Sequence, residues 1–164
     1  MRLLIQRVLR ASVHVVEAGR ERLAGEIGPG LLVFAGFGAQ DAEGMPGSPA
    51  WNKLLDRLLG LRVFSDEAGK MNRSVADAGG GLLVVSQFTL YADCRKGMRP
   101  SFAGFSAPPA LAEALYDRLV AELRARHSGP VATGRFGAEM NVSLVNHGPV
   151  TILLDSDDFA PPRP

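Results

Sequence analysis

The first part of the chain alternates apolar and polar positions for much of its length, as in "RLLIQRVLRASVHVVE" at residues 2–17. Alternation with a period of two is typical of strands that bury one face. Turn residues interrupt the pattern at Gly19 and again at residues 28–30, which read Gly-Pro-Gly. The sequence therefore predicts two or three strands at the start of the chain, separated by turns at these places.

Two later stretches repeat their apolar residues at helical spacing. Ser48 can cap the first helix, with Pro49 at its first position. One apolar face of that helix contains Trp51, Leu54, Leu55, Leu58 and Leu59. The second helix runs through residues 108–127 and carries leucines four positions apart at 111, 115, 119 and 123. Both stripes predict helices that pack against a core.

The remaining apolar runs predict further strands. They are a short strand at 61–64, a strand at 82–91 and two or three strands within 131–156, with a loop over 65–81. Because strands and helices do not alternate regularly, a doubly wound fold is not expected. We predict an α+β fold of mainly antiparallel sheets, curled into a barrel or a sandwich, with two helices.

Composition narrows the functional classes. With 164 residues, 46% of them hydrophobic, the chain can bury the core of a single domain. A net charge of +1 argues against a protein that binds long stretches of nucleic acid, so any RNA contact should be local. Arginines interrupt the N-terminal apolar run and no stretch has the length of a membrane span, so we expect a cytoplasmic protein without membrane contact. The single cysteine, Cys94, cannot form an intrachain disulfide.

The usual motifs of catalytic and cofactor sites do not occur. The sequence has no G-x-S-x-G, H-E-x-x-H, C-x-x-C, P-loop or G-x-G-x-x-G, so we expect neither a cofactor nor a metal. His14 and His127 are interpreted as surface or core residues, and His147 is the histidine beside other residues of interest. A serine or cysteine nucleophile needs an oriented base, and none is evident here.

The clearest candidate for chemistry is "LLVVSQFTLY" at residues 82–91. If this run is a strand, successive side chains alternate between its faces, so Ser86 lies on one face and Gln87 and Thr89 on the other. Four aliphatic residues followed by these polar ones suggest a strand that leaves the core and enters a polar pocket. The alternative is that the hydroxyl and amide groups satisfy neighbouring backbone groups.

Two loops have open interpretations. In "VNHGPVTILL", residues 145–154, Gly148 and Pro149 interrupt strand-like sequence and must mark an edge, a bulge or a tight loop, with a hairpin turn as the simplest reading. In "CRKGMRP", residues 94–100, Arg95, Lys96 and Arg99 follow a strand-like run. They indicate either a solvated loop or a phosphate-binding loop.

Four motifs together resemble the D-aminoacyl-tRNA deacylases. They are "SQFTL" at 86–90, "RKGMRPSF" at 95–102, "GRFGAEM" at 134–140 and "VNHGPVT" at 145–151, in the family's order. The resemblance extends over residues 1–156, which we predict to be one domain, followed by a proline-rich tail at 157–164. The sequence departs from the family pattern at Asn141 and His147, and Met98 interrupts a loop that is usually more basic.

The resemblance implies hydrolysis of the ester that joins a D-amino acid, or glycine, to the 3′-terminal adenosine of tRNA. It implies a homodimer in which Gly148 and Pro149, joined by a cis peptide bond, enter the partner's active site. The residues that it implicates are Ser86, Gln87, Phe88 and Thr89 in the catalytic pocket, Gly148 and Pro149 in rejection of L-residues, Arg7 in support of that pair, and Phe136 and Met140 at the adenine.

The mechanism stays open at this point. Thr89 could act as a nucleophile, or Gln87 and a backbone N–H near Phe88 or Thr89 could polarise the ester while the 2′-hydroxyl of the substrate assists water. The alternative to an enzyme is a non-catalytic RNA-end or protein-binding module on the same fold.

Overall fold

The elements follow the apolar pattern closely at the start of the chain. In a computed structural model that describes residues 1–160, the elements are β1 (Arg2–Glu17), β2 (Arg20–Ile27), β3 (Gly30–Gly36), α1 (Pro49–Gly60), β4 (Phe64–Ser65), β5 (Met71–Arg73), β6 (Gly81–Ser86), a 3-10 turn (Phe88–Tyr91), α2 (Pro109–Arg126), β7 (Val131–Thr133), β8 (Met140–Asp155) and a second 3-10 turn (Ser156–Phe159). Two or three strands were expected before residue 37, and the structure contains three.

Strand β1 organises the larger sheet. Its first half pairs antiparallel with β3 and its second half with β2, while its other edge pairs antiparallel with β8 along most of its length. On the far side, β3 pairs with β6 and β6 with β7, and both of these pairs are parallel. The sheet is therefore mixed, which refines the expectation of mainly antiparallel pairing. Strands β4 and β5 form a separate small sheet.

The sheet curls until its two ends approach each other and nearly close a barrel. A Cβ atom added at Gly25 on β2 would lie 2.7 Å from the backbone oxygen of Thr133 on β7. Only glycine permits backbones to come this close, so Gly25 is needed where the barrel nearly closes. The expected barrel-like curl with two helices is confirmed.

The helices cover one face of this sheet. Ser48 accepts a hydrogen bond from the N–H of Trp51, and Pro49 is the first residue of α1, as its sequence predicts. The buried side chains of the two helices are Trp51, Leu54, Leu55, Leu58, Ala112, Leu115, Tyr116, Leu119, Val120 and Leu123. Each fully buried leucine contributes about 1.5–3 kcal/mol relative to an exposed one, so these two faces supply much of the core. A second cluster, including Val13, Leu83 and Val85, fills the barrel.

Four local predictions were wrong. The run at 82–91 is a strand only to Ser86, after which the chain turns into the 3-10 turn, so Gln87 and Thr89 do not share a strand face. The short strand expected at 61–64 occupies residues 64–65, and the expected loop at 65–81 contains β5. Gly148 and Pro149 do not form a hairpin turn, because they lie within β8.

The end of the chain and the histidines complete the picture. Phe159, in the second 3-10 turn, packs against the core, and residues 161–164 of the expected tail lie outside the described residues. His127 is buried and its Nε2 lies 2.9 Å from the backbone oxygen of Gly80, in agreement with a core role. No helix of residues 1–160 is long and apolar enough to span a membrane.

Candidate active site

An apolar pocket of about 500 Å³ opens where the parallel strands β3 and β6 end. Carboxyl ends of neighbouring parallel strands share one edge of a sheet, and side chains that follow them converge there. The lining residues are Ala35, Gly36, Phe37, Val85, Ser86, Gln87, Phe88, Ser106, Ala107, Pro109, Ala112, Phe136, Gly137, Ala138, Met140 and Val142. None of these residues is charged, so the pocket suits a ligand held by shape and by a few polar groups.

Ser86, Gln87 and Phe88 of the motif at residues 86–89 line this pocket, whereas Thr89 does not. The backbone N–H of Gln87 donates to the oxygen of Ala35 at 2.8 Å, which fixes the point where β6 ends. The side-chain Nε2 of Gln87 then donates to Oγ1 of Thr89 at 2.5 Å. Phe88 and Thr89 begin the 3-10 turn, where backbone N–H groups have no acceptor within the turn. Donors for a developing oxyanion are thus available beside the side chain of Gln87.

Phe88 also faces its surroundings outside the pocket. Its side chain is 58% exposed, and its ring meets that of Phe102 edge to face with centroids 4.8 Å apart. This packing joins the motif to the segment that follows the basic stretch at residues 94–100.

Phe136 and Met140 form another side of the pocket lining. The backbone N–H of Arg135 lies 3.4 Å from the sulfur of Met140, and a Cβ at Gly134 would lie 2.7 Å from that sulfur. Glycine at position 134 therefore allows Met140 to reach its place. The structure brings both predicted adenine-binding residues to the pocket that contains residues 86–88.

Tyr116 supports this side and sequence reasoning missed it. Its hydroxyl donates to the backbone oxygen of Val84 at 2.9 Å, and its ring lies 6.1 Å from that of Phe136. Burial raises the pKa of the Tyr116 hydroxyl, so it stays a neutral donor at physiological pH. The signal in the sequence was a tyrosine within the buried stripe of α2, where its hydroxyl requires a partner.

Gly148 and Pro149, called here the Gly-Pro element, lie apart from the pocket of their own chain. The peptide bond between them is cis and both residues are exposed. Neither residue is among those that line the pocket. The structure therefore does not bring the Gly-Pro element together with residues 86–89 within one chain.

The Gly-Pro element projects from a wide bulge in β8. Asn146 pairs with Val8 and Thr151 pairs with Gln6, so five steps along β8 face two steps along β1. The amide of Asn146 spans the bulge: its Oδ1 accepts from the N–H of Val150 at 2.9 Å, and its Nδ2 donates to the backbone oxygen of Val150 at 3.1 Å. A side chain thus replaces the ladder hydrogen bonds that the bulge interrupts.

Arg7 contacts the backbone at the base of the bulge. It is buried, its Nε donates to the backbone oxygen of His147 at 2.8 Å, and its guanidinium also donates to the oxygen of Val63. A Cβ atom at Gly148 would lie 2.7 Å from a guanidinium nitrogen of Arg7. Arg7 therefore lies next to the Gly-Pro element and binds the residue before it, and its role in supporting that element stays a prediction.

Metal-ligating side chains do not cluster near this site. Within the part of the chain that the structure describes, no group of three or more His, Cys, Asp or Glu residues could hold a metal ion. His14 and His147 lie on β1 and β8, and neither lines the pocket.

Comparison with solved structures shows which known folds this curled sheet resembles. A structure named c-Myc DNA Unwinding Element Binding Protein matches with a TM-score of 0.81 and 37% identity, over 94% of this chain and 98% of that one. A structure described as a probable eukaryotic D-amino acid tRNA deacylase matches with a TM-score of 0.73 at 19% identity, which shows a shared fold.

Sequence comparison identifies the family. The model of a family described as D-Tyr-tRNA(Tyr) deacylase matches residues 4–155. A D-aminoacyl-tRNA deacylase of Nitratidesulfovibrio vulgaris strain DP4 is 52% identical over 161 residues, 98% of this chain and 96% of that protein. Another, of Xanthomonas campestris pv. campestris strain 8004, is 59% identical over 151 residues, 92% of this chain and 97% of that protein. The chain belongs to the D-Tyr-tRNA(Tyr) deacylase family and is an enzyme.

Proposed function

We propose that this enzyme hydrolyses the ester bond of D-aminoacyl-tRNA and also that of glycyl-tRNA, releasing the amino acid and free tRNA. The observation that carries the proposal is the apolar pocket, which joins residues 86–88 to Phe136 and Met140 in a chain of this family. The terminal adenosine would occupy the side of Phe136 and Met140, and the ester would lie against Gln87. The reaction belongs in the cytoplasm, where translation uses aminoacyl-tRNA.

Positioning explains the hydrolysis better than a threonine nucleophile does. Thr89 accepts a hydrogen bond from Gln87, and no histidine or carboxylate lines the pocket to remove the threonine proton. The ester carbonyl would be polarised by Gln87 and by a backbone N–H of Phe88 or Thr89. The 2′-hydroxyl of the adenosine would then assist water, which attacks the carbonyl carbon as the ester C–O bond breaks.

Chirality would be checked by the backbone of the Gly-Pro element. Rigid carbonyl oxygens against the α-carbon leave no room for the Cβ of an L-residue, whereas a D-residue directs its Cβ elsewhere and glycine has none. Because the test uses backbone atoms, it applies to many side chains alike. Glycyl-tRNA should therefore be hydrolysed together with D-aminoacyl-tRNA.

The Gly-Pro element would act on the pocket of a second copy in a homodimer. Its exposure and its separation from Met140 along β8 support this arrangement. In addition, β8 pairs with β1 alone among the strands of residues 1–160, so its second edge can face another chain.

The deciding experiment incubates the purified protein with D-Tyr-tRNA, L-Tyr-tRNA and Gly-tRNA and follows loss of the ester. We expect rapid release of D-tyrosine and glycine, little release of L-tyrosine, and the same rates in EDTA. Equal rates for the two enantiomers would contradict the chirality proposal. The alternative of a non-catalytic RNA-end or protein-binding module predicts that none of the three esters is hydrolysed above the spontaneous rate.

A further inference from the structure

Residues 94–100 form an exposed loop beside the pocket, called here the basic loop. It begins and ends at a two-residue bridge, in which the backbone N–H of Asp93 donates to the oxygen of Ser101 at 2.8 Å and that of Ser101 donates back at 2.9 Å. Gly97 has a φ of 69°, which suits the turn at the tip. All residues of the loop are exposed, so its side chains are available to a partner.

The charges of the basic loop are only partly compensated. Arg95 makes two hydrogen bonds to the carboxylate of Asp93, at 2.7 and 3.0 Å, and its guanidinium also lies over the ring of Phe105. Lys96 and Arg99 have no ion-pair partner among residues 1–160. No acidic residue occurs from position 94 to position 112. The loop therefore presents two uncompensated positive charges on a chain whose net charge is only +1.

The basic loop is connected to the pocket by an aromatic contact. Phe102, directly after the bridge, packs against Phe88, which lines the pocket and stays largely exposed. If the last nucleoside of a polynucleotide occupies the pocket and the strand passes these rings, its next phosphates would lie near the long cationic side chains of the basic loop. An exposed aromatic ring beside cations is also the arrangement that binds single-stranded nucleic acid.

We propose that the basic loop binds the phosphates of the single-stranded 3′ end of tRNA through Lys96 and Arg99. This inference rests on the proposed function, since it needs the terminal adenosine in the pocket. Arg95 shapes the loop through Asp93, while Lys96 and Arg99 contact the RNA. The loop supplies affinity for tRNA that the uncharged pocket cannot, and it acts on the nucleic acid and not on the ester.

A charge-reversal experiment separates these two roles. The variant Lys96→Glu/Arg99→Glu is compared with Lys53→Glu/Arg124→Glu, which makes the same change of charge at exposed positions of α1 and α2 that do not line the pocket. Three quantities are measured at several salt concentrations: binding of uncharged tRNA, hydrolysis of D-Tyr-tRNA, and hydrolysis of 3′-D-tyrosyl-adenosine, which lacks the preceding phosphates.

For the loop variant we expect tRNA binding to weaken at least tenfold and KM for D-Tyr-tRNA to rise by a similar factor. The slope of log affinity against log salt should become shallower by about 1.4, since each phosphate contact to a single strand contributes about 0.7. Hydrolysis of the adenosine ester should change less than twofold. The α1/α2 control should keep most of its tRNA affinity.

Several results would overturn the inference. They are unchanged tRNA binding by the loop variant, an equal loss in the α1/α2 control, or an equal loss on the adenosine ester, which would place the effect in the pocket. Duplex DNA bound as tightly as tRNA and weakened as much would show a general cationic surface. If the parent protein hydrolyses neither ester but the loop variant alone loses tRNA binding, the proposed function fails while the loop assignment stands.

Discussion

At the scale of single residues, the proposed mechanism depends on the pair Gln87 and Thr89. Gln87 donates to Thr89 at 2.5 Å, so the two side chains are in direct contact. Separate variants are therefore needed to distinguish their roles. If Gln87 polarises the ester, Gln87→Ala should lower kcat by about a hundredfold or more, the usual cost of losing one oxyanion donor. Thr89→Ala should keep kcat within about tenfold of the parent, since it removes only the acceptor that orients Gln87.

Single-turnover kinetics on D-Tyr-tRNA measure both variants, with Ser143→Ala on the exposed part of β8 as a control for handling. The positioning mechanism would be wrong if Thr89→Ala lost all activity and an acyl-enzyme could be trapped on the parent protein.

Gly148 is a further residue at which the local geometry requires glycine. Its φ is 131°, and an added Cβ would lie 2.7 Å from Arg7 and 2.8 Å from Val150. Gly148→Ala should therefore displace the Gly-Pro element, at a cost of about 1–3 kcal/mol in conformational strain. We expect at least a tenfold loss of activity on D-Tyr-tRNA and a lower melting temperature. Gly28→Ala, where no atom lies within 4 Å, is the matched control; similar behaviour of the two variants would argue against this account.

At the scale of elements, the ends of β1 and β8 are joined by a pair of charges. Nε of Arg2 donates to Oδ2 of Asp155 at 2.7 Å, and the N–H of Asp157 donates to Oδ1 at 3.1 Å. Burial raises the pKa of Asp155, but these hydrogen bonds and the charge of Arg2 lower it by more. The net pKa of Asp155 therefore lies below the ordinary value. This carboxylate therefore stabilises the fold above the unfolded pKa of about 3.9 and loses that effect as pH falls through the lower folded pKa.

Urea unfolding at pH 7, 5 and 3 tests the pair. Asp155→Asn should lower the free energy of unfolding most at pH 7, and the difference from the parent should shrink as the pH falls below about 4. The exposed control Asp158→Asn should change little at any pH. A difference for Asp155→Asn that stays constant from pH 7 to pH 3 would show that its charge does not contribute.

Elements with a strong local signal could be predicted from the sequence, and those decided by tertiary contacts could not. The cap at Ser48 and the leucine stripe of α2 are local, and both helices were confirmed. The parallel pairing of β6 with β3 and β7 depends on residues distant in sequence, which periodicity does not reveal. The strand expected to continue to residue 91 ends at Ser86, because the N–H of Leu90 turns back toward the oxygen of Gln87.

In the candidate site, too, residues in local motifs could be predicted, whereas contacts between residues distant in sequence could not. Motifs identified residues 86–89, Phe136 and Met140, and the structure gathers all but Thr89 into the lining of one pocket. Tyr116 and Gly134 shape that pocket by contacts with Val84 and Met140, and the sequence did not reveal these partners although Gly134 begins one of the motifs and Tyr116 lies in the buried stripe of α2. Proline and glycine in "NHGPV" indicated a break in the strand, but the bulge depends on Asn146 and on Arg7 from a different strand.

At the scale of the whole molecule, the proposed chirality check requires two chains for one complete site. One chain supplies the pocket, and the Gly-Pro element lies exposed on β8 and does not line the pocket of its own chain. In a homodimer, each pocket would be paired with the partner's Gly-Pro element. This would explain why Asn146 and Arg7 hold the element although it does not line the pocket of its own chain. Under this proposal, chirality checking depends on formation of the homodimer.

Subunit complementation is the most direct test of this central claim. Gln87→Ala protein is mixed with protein in which Gly148 and Pro149 are both replaced by alanine, subunits are exchanged, and hybrids are verified by mass spectrometry. In a hybrid, one site carries both lesions and the other carries neither. Random exchange makes half of the dimers hybrids, so hydrolysis of D-Tyr-tRNA should return to about a quarter of the parent's rate. Verified hybrids that remain inactive would contradict the account, because a Gly-Pro element acting within its own chain leaves both sites damaged.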